Sequence, residues 1–355
     1  MEESSLDLGD RNSKDEDLEW CYDTVQDVSR TFAITVDLLD EPMSSYICVG
    51  YLLCRIADTV EDAGHIPPEE QAEILDRYND VLEGADPEEF EEEVEDWIPD
   101  GNDDDWKLVG NASRVVGVFR SFSPESRKAI LPPVQELVGG MSEFVERYSS
   151  KGGLRIHSVE ELEEYCWYVA GTVGDLITNL VVRGASKSKT KVDVLRQNSR
   201  SFGLLLQLVN VAKDVRKDYE EENNVYLPAE WLEEEGVGQE EVADEENADA
   251  VARVVRRVVD RAEGYLDDSQ RYLEEVPEKD GNNLEAWAVP FLLAVATLRE
   301  LRSRPSDVVL EGDVKISRRE VMAIIDAFTS PDSDVGKESI GDLRKTVSRK
   351  PFHRS

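Results

Sequence analysis

The chain has 355 residues and a formal net charge of −38, from 78 Asp and Glu against 40 Lys and Arg, with 40% hydrophobic residues. That length and apolar content suffice for one large core or two ordinary ones. The acidity excludes a nucleic-acid partner, whose phosphates need a cationic surface, and argues against electrostatic docking on anionic lipid. A surface this acidic repels itself in dilute buffer. Because the excess runs through most of the chain, it reads as a halophilic adaptation, screening at high ionic strength removing the repulsion.

Residues 1–16 are acidic and without periodicity, which predicts disorder; they lack the apolar stretch of a signal peptide. A helix is expected from near Asp17 to a break at Glu41-Pro42, with Arg30 inside it either as an anion ligand or as a surface cation among acids. Ser44–Asp62 is an apolar rod ending in Asp58, Glu61 and Asp62. A further helix starts at Pro67-Pro68 and runs to about Leu82. Residues 86–105 read as a solvated acidic insertion without chemistry.

Leu108–Phe122 and Ser126–Tyr148 are amphipathic, and Gly139-Gly140 marks a close approach. Val159–Leu180 carries small residues at Ala170, Gly171 and Gly174 that thin one face, with Tyr165 and Tyr168 a turn earlier, where a tyrosine usually just satisfies its hydroxyl. Ser199–Glu221 is a second apolar rod, ending in Asp214 and Asp218. Glu230–Glu246 reads as mobile, Ala248–Glu275 as one long surface helix, Leu284–Arg302 as an apolar helix bent by Pro290, Asp307–Ser317 as a loop and Arg318–Phe328 as a last helix. The polar residues 329–355 are expected to be a flexible tail.

No strand alternation, fixed-period repeat, glycine-rich phosphate loop or histidine ligand spacing occurs. The expected fold is all-α, a single domain over 17–328 around a central apolar cavity. The four cysteines, Cys21, Cys48, Cys54 and Cys166, form no CxxC pair and read as free thiols of a reducing compartment. The longest uncharged apolar run, Ala286–Leu298, is too short to span a bilayer, so a cytoplasmic protein is expected.

The two acid clusters carry the chemistry. Residues three and four apart share a helix face, and like charges there repel. The clusters are either solvated helix ends or two sides of a site for Mg²⁺, a hard cation that takes one or two carboxylates plus substrate phosphates.

In chain order, SRTFA at 29–33, YLLCRIADTVED at 51–62, YCWYVAGTVG at 165–174, LLLQLVNVAKDVRKD at 204–218, AVPFLLAVATL at 288–298 and GDVKI at 312–316 resemble the squalene/phytoene synthase family of head-to-head isoprenoid synthases, its squalene branch most closely. The resemblance implies an isoprenoid synthase fold that joins two farnesyl diphosphates and then reduces the product with NADPH; a non-reducing phytoene or dehydrosqualene synthase is the alternative, and a non-catalytic isoprenoid-diphosphate-binding protein a more distant one. It implies Mg²⁺ held by Asp58 and Asp62, with Glu61 supporting, and by Asp214 and Asp218. It implies substrate contacts from Arg30, Phe32, Tyr51, Arg55, Gln207, Asn210 and Lys213, and a role for Tyr165 in proton loss. Lys315, Arg318 and Arg319 either meet the phosphates of NADPH or balance local acids. A monomer without a membrane anchor, touching a membrane at most during product release, completes the expectation. Three features depart from the squalene branch: Lys213 stands where Arg is usual, NNVYLP at 223–228 resembles the phytoene branch, and Asn224 replaces an Arg usual in both.

Overall fold

The structure, a computed structural model, describes residues 6–101, 103–183, 189–329 and 339–353. Among these the chain is all-α: the bridges Arg155–Val225 and Lys279–Asn282 are the only β pairing.

Helix α1 (Leu6–Val28) begins well before Asp17, so the expected disorder of 1–16 does not hold from Leu6 onward; residues 1–5 lie outside the described residues. The expected single helix to Glu41 is divided at Ser29. Its backbone is extended and its hydroxyl accepts from Phe32 N (3.3 Å), capping α2 (Arg30–Asp37).

The centre is α3 (Met43–Glu61). It is apolar around most of its circumference, with Leu52, Leu53, Ile56 and Ala57 fully buried, as a rod surrounded by other helices must be. A helix end leaves carbonyls without partners. Here the buried Gln71 of α4 (Pro68–Glu83) donates to the carbonyls of Val60 and Glu61 (both 2.9 Å), fixing the acidic end of α3.

The acidic insertion is folded. It contains α5 (Pro87–Val94), which buries Phe90 against Tyr78, and α6 (Asp104–Val109), whose first turn is capped by Asp103. Next come α7 (Ala112–Ser121) and α8 (Pro124–Arg147), the latter packed on α3, α4 and α10.

The expected helix over 159–180 is α9 (Val159–Cys166), a π-helical turn (Trp167–Gly171) and α10 (Thr172–Val182). Its small residues allow backbone contact with α11 (Lys189–Lys213). A β-carbon on Gly203 would lie 2.2 Å from the Ala170 carbonyl oxygen, and one on Gly174 2.4 Å from that of Ser199. The expected close approach at Gly140 is also present, against the ring of Tyr168.

After α11 the chain breaks at Asp214 and restarts as α12 (Val215–Glu222). Residues 230–246, expected to be mobile, hold α13 (Ala229–Glu234) and two short 3-10 turns. The expected long surface helix is two helices, α14 (Ala248–Gly264) and α15 (Leu266–Glu275). Val251, Val254, Val255 and Val258 of α14 are fully buried, forming a stripe against the core that its charged residues masked in the sequence. Then follow α16 (Leu284–Ser303) with Pro290 inside it, the short α17 (Asp307–Leu310) and α18 (Arg318–Thr329).

Part of the expected flexible tail is the packed helix α19 (Ile340–Val347), which buries Ile340, Leu343 and Val347 at helical spacing; residues 330–338 lie outside the described residues. Arg299 of α16 makes a two-pronged pair with Glu320 of α18 (2.9 and 2.8 Å) and donates to the carbonyls of Val347 and Lys350. Phe352 N donates to Glu320 as well (2.8 Å). Glu320 is 1% exposed, and removing one partner of a buried pair strands the other charge. Glu320→Ala is therefore expected to destabilise the protein by about 3 kcal/mol, read as a lower midpoint of urea unfolding, and to release α19 to limited proteolysis.

Candidate active site

Asp58 and Arg55 lie on the exposed side of the last turns of α3, at one end of an apolar cavity of about 260 Å³ that Asn210 of α11 also borders. The expected substrate contacts Phe32 and Tyr51 line it too, stacked on one another with centroids 3.9 Å apart. Gln207 is half-buried on α11, and Arg30 is exposed at the first residue of α2; neither borders the cavity.

The second acid motif straddles the break between α11 and α12. Asp214 has left the helix (φ −107°, ψ 15°) and pairs with Lys213. One turn on, Asp218 is buried. Glu222, a further turn along the same face, reaches the field of both motifs: it raises the pKa of Glu61 and Asp62 as well as that of Asp218. Its place in a run of glutamates hid it in the sequence, although its spacing from Asp218 was readable.

These carboxylates are under-compensated. Burial, then Glu222 and Asp214, hold the Asp218 carboxyl up at about 8. Burial holds Glu222 at about 7 despite Lys217, and Asp58 and Asp214 add to it. Burial and then Asp58 push Glu61 and Asp62 well above the usual carboxylate range. Such a set suits a cation. Among the described residues no three carboxylates, thiols or imidazoles converge tightly enough to enclose a metal by themselves.

Two residues overlooked in the sequence complete the surroundings. Asp105, at the start of α6, takes the Arg55 guanidinium in a two-pronged pair (2.8 and 3.0 Å), while the remaining Arg55 nitrogen meets Asp58. The insertion thus supplies the counter-charge that orients Arg55. Tyr226 stacks on Tyr165 at 5.0 Å. The Tyr165 hydroxyl donates to Glu61 Oε2 (3.1 Å), with the Tyr226 hydroxyl 3.3 Å away. Asn224, in place of the expected arginine, is buried and donates to the Tyr226 hydroxyl (3.1 Å). Glu61 is 3% exposed and its Oε1 has no hydrogen-bond partner. It therefore faces the tyrosines, unlike the half-exposed Asp58 with which it was grouped.

The GDVKI tract docks on the end of α11: Val314 N approaches the Lys213 carbonyl at 3.4 Å. Lys315, Arg318 and Arg319 are exposed, with Lys315 paired to Asp313.

Residues 25–320 match the squalene/phytoene synthase family. The chain belongs to this family. It is 28% identical to the squalene synthase of Cyberlindnera jadinii, over 86% of this chain and 66% of that protein, slightly under two thirds of the relative's length. It is 26% identical to squalene synthase 1 of Arabidopsis thaliana, over 86% of this chain and 70% of that one. A solved complex of TcSQS with the ligand E5700 superposes with a TM-score of 0.77 at 26% identity, covering 94% of this chain and 90% of that one. A dehydrosqualene synthase complex shares the fold, with a TM-score of 0.54 at 18% identity over 95% of this chain and 97% of that one. The family member described here is thus an all-α protein with the isoprenoid synthase fold. Among its described residues no helix is long and apolar enough to cross a membrane.

The crowded carboxylates give the metal-free protein a defined pH response. Asp218 and Glu222 bind protons in the folded state at pH values where an unfolded carboxyl, near 4, has released them. That stability is present at low pH and lost as pH rises through the folded-state values of about 7 and 8. The melting temperature in chelator is expected to fall between about pH 5 and pH 8, and Asp218→Asn to flatten that slope in differential scanning fluorimetry.

Proposed function

We propose that this family member is a squalene synthase, which joins two farnesyl diphosphates head to head into presqualene diphosphate and reduces that product to squalene with NADPH. The observation that carries the reading is the apolar cavity ending at Arg55, Asp58 and Asn210, with the second acid motif and the docked GDVKI tract beside it.

Asp58 and Asp62 on one side, and Asp214, Asp218 and Glu222 on the other, are the residues that would hold Mg²⁺, which when bound neutralises the departing diphosphate. Arg55, oriented by Asp105, contacts the same diphosphate with its fork. Carbon–oxygen cleavage leaves an allylic cation in the cavity, whose apolar walls keep water from capturing it. The double bond of the second farnesyl chain attacks this cation, and loss of one proton closes the cyclopropane. Tyr165 Oη takes that proton as its own passes to Glu61 Oε2 along the hydrogen bond between them. In the second half-reaction the cyclopropyl product would lose its diphosphate, and bound NADPH would be the source of the hydride that converts the resulting cation to squalene. Lys315, Arg318 and Arg319 would hold the cofactor's phosphates. The acidic surface supports assay at molar salt.

A non-reducing dehydrosqualene or phytoene synthase is the second reading, favoured by the YLP ending and by Asn224 in place of an arginine. The discriminating experiment is incubation of the purified protein with farnesyl diphosphate and Mg²⁺, with and without NADPH, and mass spectrometry of hexane extracts. Squalene formed only with NADPH is the expected result; dehydrosqualene in both tubes, or product from geranylgeranyl diphosphate alone, selects the second reading. Asp58→Asn and Asp214→Asn are each expected to lower turnover by about 10³-fold with unchanged circular dichroism. Tyr165→Phe is expected to slow formation of presqualene diphosphate by roughly 10²-fold in single-turnover quench measurements.

A further inference from the structure

A buried arginine sits at the far end of α12 from Asp214. Arg155 is 5% exposed. A guanidinium carries five N–H donors in a fixed fork, and here each of the five has an acceptor. Nε and one hydrogen of Nη2 go to the two carboxylate oxygens of Glu240 (2.8 and 3.2 Å). The other hydrogen of Nη2 goes to Asn223 Oδ1 (2.7 Å). Nη1 donates to the Leu154 carbonyl (2.9 Å) and to that of Asn223. Cζ lies 5.9 Å from the centre of the Tyr219 ring, on α12 itself. A buried charge is kept only where it is paired and hydrogen-bonded in this way.

Asn223 is the residue that ends α12. Its backbone is left-handed (φ 57°, ψ 31°), the conformation that closes a helix. Its N–H and that of Asn224 (2.9 Å) both donate to the Asp218 carbonyl, which a helix end otherwise leaves free. Helix α12 has eight residues, and a helix that short does not hold itself together in water. The closure of its last turn therefore fixes the direction of Asp218 and Glu222.

Beyond the turn the chain lies against residues 152–156. Val225 N donates to the Leu154 carbonyl (2.9 Å), Ile156 N to the Val225 carbonyl (3.1 Å) and Leu154 N to Asn224 Oδ1 (2.8 Å). The approach is close enough to need glycine: a β-carbon on Gly153 would lie 2.1 Å from the Asn223 carbonyl oxygen. Arg155 ties this contact to Glu240, in the 3-10 turn Gln239–Glu241, so three segments meet on one guanidinium.

We propose that Arg155 is a positioning residue for the second acid motif: its fork locks the left-handed turn at Asn223 and so holds Asp218 and Glu222 toward the first motif for Mg²⁺ binding. This rests on the reading that the two acid motifs hold the metal.

The test measures the Mg²⁺ concentration that half-saturates binding of farnesyl thiodiphosphate by calorimetry, with amide hydrogen exchange of the metal-free protein alongside. Arg155→Met is expected to raise that concentration about tenfold, the loss usual when a residue that orients metal ligands is removed. In the same variant the amides of Asn224 and Val225 are expected to exchange faster. Arg155→Lys is expected to behave like Arg155→Met, because one ammonium cannot span Glu240 and Asn223 together. Glu240→Ala, which unpairs half of the fork, is expected to give a smaller shift in the same direction. Glu320→Ala is the control for lost stability: its urea midpoint falls while its Mg²⁺ requirement stays that of the unsubstituted protein. Where Arg155→Met fails to fold, Arg155→Lys and Glu240→Ala carry the test. Arg155 variants with the Mg²⁺ requirement of the control, whatever their stability, overturn the proposal, and so does full recovery in Arg155→Lys. An unsubstituted protein whose binding of the thiodiphosphate ignores Mg²⁺ instead removes the reading that the acid motifs hold the metal, an outcome recognisable before any variant is made.

Discussion

Six carboxylates, Asp58, Glu61 and Asp62 from α3 with Asp214, Asp218 and Glu222 from the α11–α12 junction, crowd the end of a buried helical core, where water screens them poorly. Left to relax, the two helix ends would splay apart or take up protons. The surrounding structure prevents the first. Gln71 ties down the last carbonyls of α3, and the break at Asp214 turns the second motif off the axis of α11 while Asp218 N still donates to the Asp214 carbonyl (2.9 Å). The repulsion is thereby stored as affinity for positive charge.

The apolar half of the site follows from a different economy, that of thin helices. The π-helical turn at Trp167–Gly171 inserts one residue into the regular spacing, and Gly203 and Gly174 let two backbones approach without side chains between them. Volume that side chains would fill elsewhere becomes a wall one backbone thick around a hydrocarbon cavity. Charge is confined to one end and hydrocarbon to the other, which is the division an allylic diphosphate presents.

The parts of this arrangement visible in the sequence were those with short-range signatures. The acid spacing in DTVED and DVRKD, the apolar rods behind them and the thin face at Ala170, Gly171 and Gly174 all depend on neighbours three or four residues away. The all-α class, the cavity and the match to the squalene/phytoene family followed from them. What stayed hidden depends on long-range pairing. Asp105 lies far in sequence from Arg55, within an insertion that reads as solvated. Tyr226 meets Tyr165 only after the loop beyond α12 folds back. The ordering of α19 rests on Arg299 and Glu320, two charges that any local reading assigns to the surface. The division at Ser29 was a local signal, a capping serine three residues before Phe32, overridden in the reading by the apolar periodicity around it.

The fork between Arg55 and Asp105 is one of two ties on the acidic insertion. Its anchoring depends on a few residues: Asp103 caps α6, Asp105 grips Arg55, and Trp106 buries its ring behind them. The stretch before Asp103 is tied down separately, with the Trp97 carbonyl 2.8 Å from His65 Nε2 just beyond the acidic end of α3. The insertion is in this sense a spliced-in buttress. One of its ties holds the chain after α3, and the other sets the direction of Arg55.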